Sequence, residues 1–144
     1  MNPILKWFIK AFVRFHVFRY RASGGRFGNK LRGFNVLLLT TVGRKSGKQH
    51  TVPLGFIQDG NSYVIVGSFA AFGRNPAWYL NLQHNPKVQI QVLSEVLEVT
   101  AETAQGEQRQ RLWEQFVTEV PGYADYQKRT TREIPVVTLK PDAV

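Results

Sequence analysis

The fold is read most directly from Val36-Leu-Leu-Leu-Thr-Thr-Val-Gly-Arg-Lys-Ser-Gly-Lys-Gln-His-Thr-Val-Pro-Leu54. Residues 35–42 form a short apolar run bounded by a glycine-bearing turn, which reads as a buried strand. Residues 49–57 return as its hairpin partner. Between them, Gly43 and Gly47 let the backbone turn tightly and expose amides. Arg44, Lys45 and Lys48 add positive charge, and Ser46 adds a hydroxyl. That set suits a phosphate or a polyanion, although a basic turn that is merely solvated has the same composition. The spacing is not that of a Walker loop.

Working outward, Asp59-Gly60-Asn61 signals another turn, and residues 62–68 read as a third strand. Asn75 before Pro76 reads as the N-cap of a helix over 76–84, which stops ahead of Asn85-Pro86. Residues 87–93 alternate apolar and polar side chains, and 95–103 read as their antiparallel neighbour. Leu112, Trp113, Phe116 and Val117 give a helix over 107–120 its apolar face. Residues 123–130 fit a short helix or an extended turn, and 134–139 a last strand. Six closely spaced strands with few helices predict an α+β fold built on a six-stranded antiparallel barrel with appended helices. Residues 1–34 are expected as a helix and linker, and 35–144 as the barrel domain.

Within the 144 residues, the first 58 hold eleven Lys or Arg and no acid. The remainder holds eight Lys or Arg against ten acids, so the net +9 belongs to the first half of the chain. Such asymmetry implies an anionic partner. With no cysteine, disulfides, thiolate metal sites and cysteine nucleophiles are excluded. His16, His50 and His84 lack metal-ligand spacing, so no metal is expected. No Gly-x-Ser-x-Gly elbow, paired-carboxylate pattern or nucleic-acid motif is present, and no nucleic-acid partner is expected.

Residues 4–20 carry Trp7, Phe8, Phe12, Phe15 and Phe18 among aliphatics, interrupted by charges too often for a signal core or a membrane span. At 100° per residue, Lys6, Lys10, Arg14 and Arg21 share one narrow stripe of a basic amphipathic helix. Its wide apolar face suits docking on the domain's own core or on a second subunit, or attachment to an anionic membrane surface. Residues 21–34, with four glycines and four basic residues, read as a linker.

The hairpin segment and Asn75-Pro-Ala-Trp-Tyr-Leu-Asn-Leu-Gln-His-Asn-Pro-Lys-Val-Gln-Ile-Gln91 together resemble the deazaflavin-dependent nitroreductase and quinone reductase family. The likeness runs from about Val36 to Pro135. It implies a split β-barrel of the FMN-binding type and reduced coenzyme F-420, whose tail carries a phosphate and glutamates. Hydride transfer to a quinone or nitro acceptor would follow, in the cytoplasm or on the inner membrane face, from a monomer or a homodimer.

Carried over by position, the resemblance assigns the tail to Arg44, Lys45, Ser46, Gly47 and Lys48, with His50 assisting. Pro53 and Leu54 match the strand beside the ring system, and Pro76, Ala77 and Trp78 the helix start that frames it. Ser68 matches a serine near cofactor and substrate; Tyr123 and Tyr126 match tyrosines of the substrate pocket. The chain departs from relatives at Phe69-Ala70-Ala71, where Lys-Gly-Gly is frequent. It departs again at Gly55 and Val120, where tyrosines occur, which implies a roomier and less polar pocket. A non-catalytic carrier of FMN, haem, deazaflavin or a fatty acid on the same fold is the alternative.

Overall fold

The computed structural model describes residues 2–31, 34–67, 75–120, 123–128 and 133–142. Its elements run α1 (Pro3–Ala22), β1 (Lys30–Leu31), β2 (Phe34–Val42), β3 (Gln49–Gly55), β4 (Ile57–Asp59) and β5 (Ser62–Val66). They continue as α2 (Ala77–His84), β6 (Lys87–Val92), β7 (Glu95–Thr103), α3 (Gly106–Glu119), α4 (Tyr123–Lys128) and β8 (Val136–Pro141). The strands form one antiparallel sheet in the order β1-β2-β6-β7-β8-β5-β4, with β3 added on β2. The hairpin register sets Val42 opposite Gln49 and Leu39 opposite Val52.

Alternation along the strands sorts side chains into two layers. Leu37, Leu39, Ile65, Val137 and Leu139 point inward and pack with Trp78 and Leu82 of α2. Val64, Val66 and Val136 point the other way, onto Leu112 and Phe116 of α3. Leu38, between its two inward neighbours, lies beneath Val17 and Tyr20 of α1.

The mainly β architecture matches the sequence expectation, with eight strands among the described residues rather than six. The additions, β1 and β4, are too short to show a period. β4 arises because the run expected over 49–57 breaks at Phe56. Its N–H bonds the Asn35 carbonyl at 3.0 Å, and its ring turns into the core against Tyr63. The helix expected from Pro76 starts at Ala77: Pro76 is the N-cap in extended conformation, and no side chain caps the helix. Residues 123–128 are helical. The expected linker is only partly a linker. Arg21 and Ala22 complete α1, and 30–31 form β1. In the connecting loop a Cβ at Gly25 would lie 2.4 Å from the Cα of Leu93, and φ there is +82°, so only glycine fits.

α1 meets the barrel along a different line from the one its composition suggests. Val17 and Tyr20 are buried, while Trp7, Phe12 and Phe18 remain about two-thirds exposed (65, 65 and 66%). The aromatic face therefore does not dock on the domain's own core.

Candidate functional site

A cleft of 1360 Å³ opens between α1, the β2–β3 hairpin, the start of α2 and α4. The hairpin turn forms one end. The Gly43 N–H donates to the Lys48 carbonyl at 2.7 Å, and the Gly47 N–H to the Gly43 carbonyl at 2.8 Å. The Lys48 N–H donates to Ser46 Oγ at 3.2 Å. A Cβ at Gly43 would lie 2.6 Å from Ser46 Oγ and 2.9 Å from His50 Nε2. The missing side chain thus leaves a small cradle into which a hydroxyl and an imidazole converge, next to Arg44 and Lys45.

The turn is locked to α2 by Asn81, which is 4% exposed. The Arg44 N–H and its Nη1 donate to Asn81 Oδ1 at 3.2 and 3.4 Å. Asn81 Nδ2 donates to Thr41 Oγ1 at 3.1 Å. The amide thus uses acceptor and donor together to fix the turn's first residue. Sequence reasoning overlooked Asn81, because its partners lie 37 and 40 residues away. Its place inside the Asn75–Leu82 segment was the one available signal.

Pro53 and Leu54 of β3 and Pro76, Ala77 and Trp78 at the start of α2 line the middle of the cleft, with Tyr123 of α4 beside them. Trp78 serves twice: it lines the cleft and packs in the barrel core. Pro76, the N-cap of α2, gives the helix start no side-chain hydrogen bond, and the Tyr79 N–H donates to the Pro76 carbonyl at 3.1 Å. Tyr123 meets Phe116 edge to face, with ring centroids 4.9 Å apart.

Of the sequence-derived candidates, the structure brings Arg44, Lys45, Ser46, His50, Pro53, Leu54, Pro76, Ala77, Trp78 and Tyr123 to one cavity. Gly47 and Lys48 sit at the exposed tip, outside its lining. Ser68 and Phe69-Ala70-Ala71 lie outside the described residues, and so does the side chain of Tyr126. The two substitutions expected to widen the pocket do not border it. Val120 is 2% exposed and packs under α3, while Gly55 pairs with Val36 in the hairpin.

The opposite wall is α1, which presents Lys10, Val13, Arg14, Val17 and Arg21 to the cleft. Arg21 Nη2 bonds Thr51 Oγ1 at 2.9 Å and ties the helix to β3. Among the described residues, none that lines the cavity is acidic. The lining therefore combines cations and hydroxyls with apolar and aromatic side chains, so it can take a ligand that is both anionic and apolar.

The chain is similar to proteins of known family. The family model described as F420H(2)-dependent quinone reductase matches residues 12–141. An F420H(2)-dependent quinone reductase of Mycobacterium tuberculosis, Rv1261c, is 41% identical over 132 residues, covering 88% of each chain. A solved F420-H2 dependent reductase superposes with a TM-score of 0.68 at 39% identity, over 73% of this chain and 93% of that one. A structure described as a domain-swapped dimer gives a TM-score of 0.72 at 32% identity, over 96% of this chain and all of the other.

Proposed function

The chain belongs to the F420H(2)-dependent quinone reductase family, and on that premise we propose that it reduces quinones with reduced coenzyme F-420. Nitro compounds are further acceptors for the same chemistry. The observation that carries this reading is the single cleft that joins the basic hairpin turn to the Trp78 slot.

The donor set fits the cofactor. Arg44, Lys45, Ser46 and His50 around the Gly43 cradle offer charge and hydrogen bonds to a phosphate. Gly47 shapes the turn, and Lys48 adds charge at its rim. Pro53 and Leu54 would lie beside a flat ring. Pro76, Ala77 and Trp78 would frame it at the N-terminal end of α2, whose dipole favours an electron-rich edge. Bound there, the reduced deazaflavin supplies the hydride. The residues orient it and exclude water, and no side chain has to act as a base. Ser68, Tyr123 and Tyr126 are assigned as donors toward the acceptor oxygen, where they stabilise developing negative charge.

The exposed aromatic face of α1 is read as a contact with an anionic bilayer. No helix among the described residues is long and apolar enough to cross a membrane. Trp7, Phe8, Phe12 and Phe15 on a helix without acids instead suit the lipid interface, where a hydrophobic quinone is met. On this reading the protein works in the cytoplasm or at the inner face of the membrane. The domain-swapped relative makes a second copy the competing occupant of that face. Flotation with anionic vesicles and sedimentation without lipid separate the two.

Turnover of menadione by the protein with reduced F-420 tests the function, and no turnover would favour the carrier reading. Lys45→Ala is expected to weaken cofactor binding. Tyr126→Phe is expected to lower turnover more than it weakens cofactor binding.

A further inference from the structure

Lys10, Arg14 and Arg21 lie along one stripe of α1, and the fold turns that stripe into the cleft, facing Arg44 and Lys45. Trp7, Phe8, Phe12 and Phe15 of the same helix look outward, while Phe18 borders the cleft. Among the described residues, five cations and no carboxylate thus line this one cavity. Among the described residues none of the five belongs to a salt bridge, in contrast to Lys87, Arg109, Arg111 and Lys128. All five are exposed to solvent, so their mutual repulsion is partly screened, but an anion held between them would gain from each.

One phosphate at the hairpin turn accounts for Arg44 and Lys45. It leaves the α1 cations unmatched. Helical rise sets Lys10 about 6 Å from Arg14 along the axis and about 16 Å from Arg21, a ladder with the reach of a few linked residues.

We propose that this stripe is a second anion-binding wall, which holds the successive carboxylates of the cofactor's tail beyond its phosphate. The inference rests on the F-420 reading above. It makes α1 part of the binding site rather than only an anchor, and it makes affinity depend on the number of carboxylates in the tail. The occupant it names is a flexible polycarboxylate chain, since cations one and two turns apart on a helix match spaced single charges better than one compact group.

The test is a fluorescence titration of the full chain with tail-less deazaflavin and with F-420 carrying one or at least five glutamates. It is run on the wild type, on Lys10→Gln/Arg14→Gln, and on Arg19→Gln/Arg26→Gln as a control of equal charge loss. Arg19 stacks over Phe27 at 4.0 Å, and neither control residue lines the cleft. Wild type should bind the long-tailed form about tenfold more tightly than the one-glutamate form, as several partly screened ion pairs would give. The cleft variant should lose most of that gain and keep its affinity for the one-glutamate form within about twofold. The control should keep the gain. Equal affinity of wild type for both tails, or a cleft variant that keeps the gain or loses affinity equally for every form, would overturn the inference and leave the cofactor reading intact. Binding of no form would overturn both.

Discussion

The hydroxyl of Tyr20 accepts the backbone N–H of Leu93 at 2.8 Å. It also lies 3.1 Å from the Val36 carbonyl and 3.3 Å from that of Gln91. A side chain from α1 thereby fills the place in the ladder where β6 leaves β2, and it holds the α1 wall of the cleft against the barrel. Tyr20 is fully buried.

Tyr20→Phe keeps the ring but leaves the Leu93 N–H without its acceptor. The expected cost is about 1–3 kcal/mol, measured by urea unfolding, with faster hydrogen exchange along α1. Burial pushes the Tyr20 pKa up, and the Leu93 N–H pulls it partly back. The folded pKa is therefore above the unfolded value of about 10. Its contribution to stability is complete below that pH and is lost as pH rises through the folded pKa. An alkaline loosening of α1 that disappears in Tyr20→Phe is the expected result.

Asn81 borders the cleft and spends its amide on Arg44 and Thr41, so its main part is to position the turn. Asn81→Leu should weaken cofactor binding about tenfold, and the Arg44 N–H left unpaired should cost about 1–3 kcal/mol of stability. Asn81→Asp keeps the acceptor for Arg44 and should recover stability, while its negative charge on the cleft lining should keep the affinity for an anionic tail low. The checks are a cofactor titration and a urea melt on each variant; loss of stability alone would mark Asn81 as merely structural.

Gly43 and Gly47 should separate cradle from turn. The added methyl of Gly43→Ala meets Ser46 Oγ and His50 Nε2, so cofactor affinity should fall by about tenfold, an effect near 1.4 kcal/mol. Gly47 has φ +71° and open space around its Cβ position. Gly47→Ala should therefore act through backbone strain, at about 1 kcal/mol of stability, with little effect on the cradle. Titrations alongside thermal melts distinguish the two outcomes.

Asp59 accepts from Arg111 Nη1 and Nη2, both at 3.2 Å. That hydrogen bonding, aided by the guanidinium charge, holds its carboxyl below the usual range despite partial desolvation. The stabilisation is complete above the unfolded value of about 4 and is lost as pH falls through the folded value. Asp59→Asn should remove that part of the acid response while changing stability little at neutral pH, because the pair is largely exposed to solvent. Acid unfolding curves of both proteins check this.

The hairpin turn was legible because glycines, basic residues and flanking apolar runs all act locally. The barrel strands were legible for the same reason, except β1 and β4, where two or three residues carry no period. The two faces of α1 were legible, but not which one meets the barrel. That choice depends on Val17 and Tyr20 finding Leu38, a packing decision that no periodicity encodes. Its consequence was hidden as well: the basic stripe, next to those docking residues, faces the cleft. Asn81 escaped notice because its role exists only once α2 lies beside the β2–β3 turn. Val120 illustrates the converse, since a position carried over by resemblance as pocket-lining is core here.

The central claim is that this cleft takes a deazaflavin by its anionic tail and its flat ring. The most direct measurement is a fluorescence titration of the purified protein with oxidised coenzyme F-420, with FMN in parallel. Micromolar or tighter binding of F-420, weakened by added salt and much stronger than that of FMN, is the predicted result. Binding of FMN alone, or of neither, would contradict it.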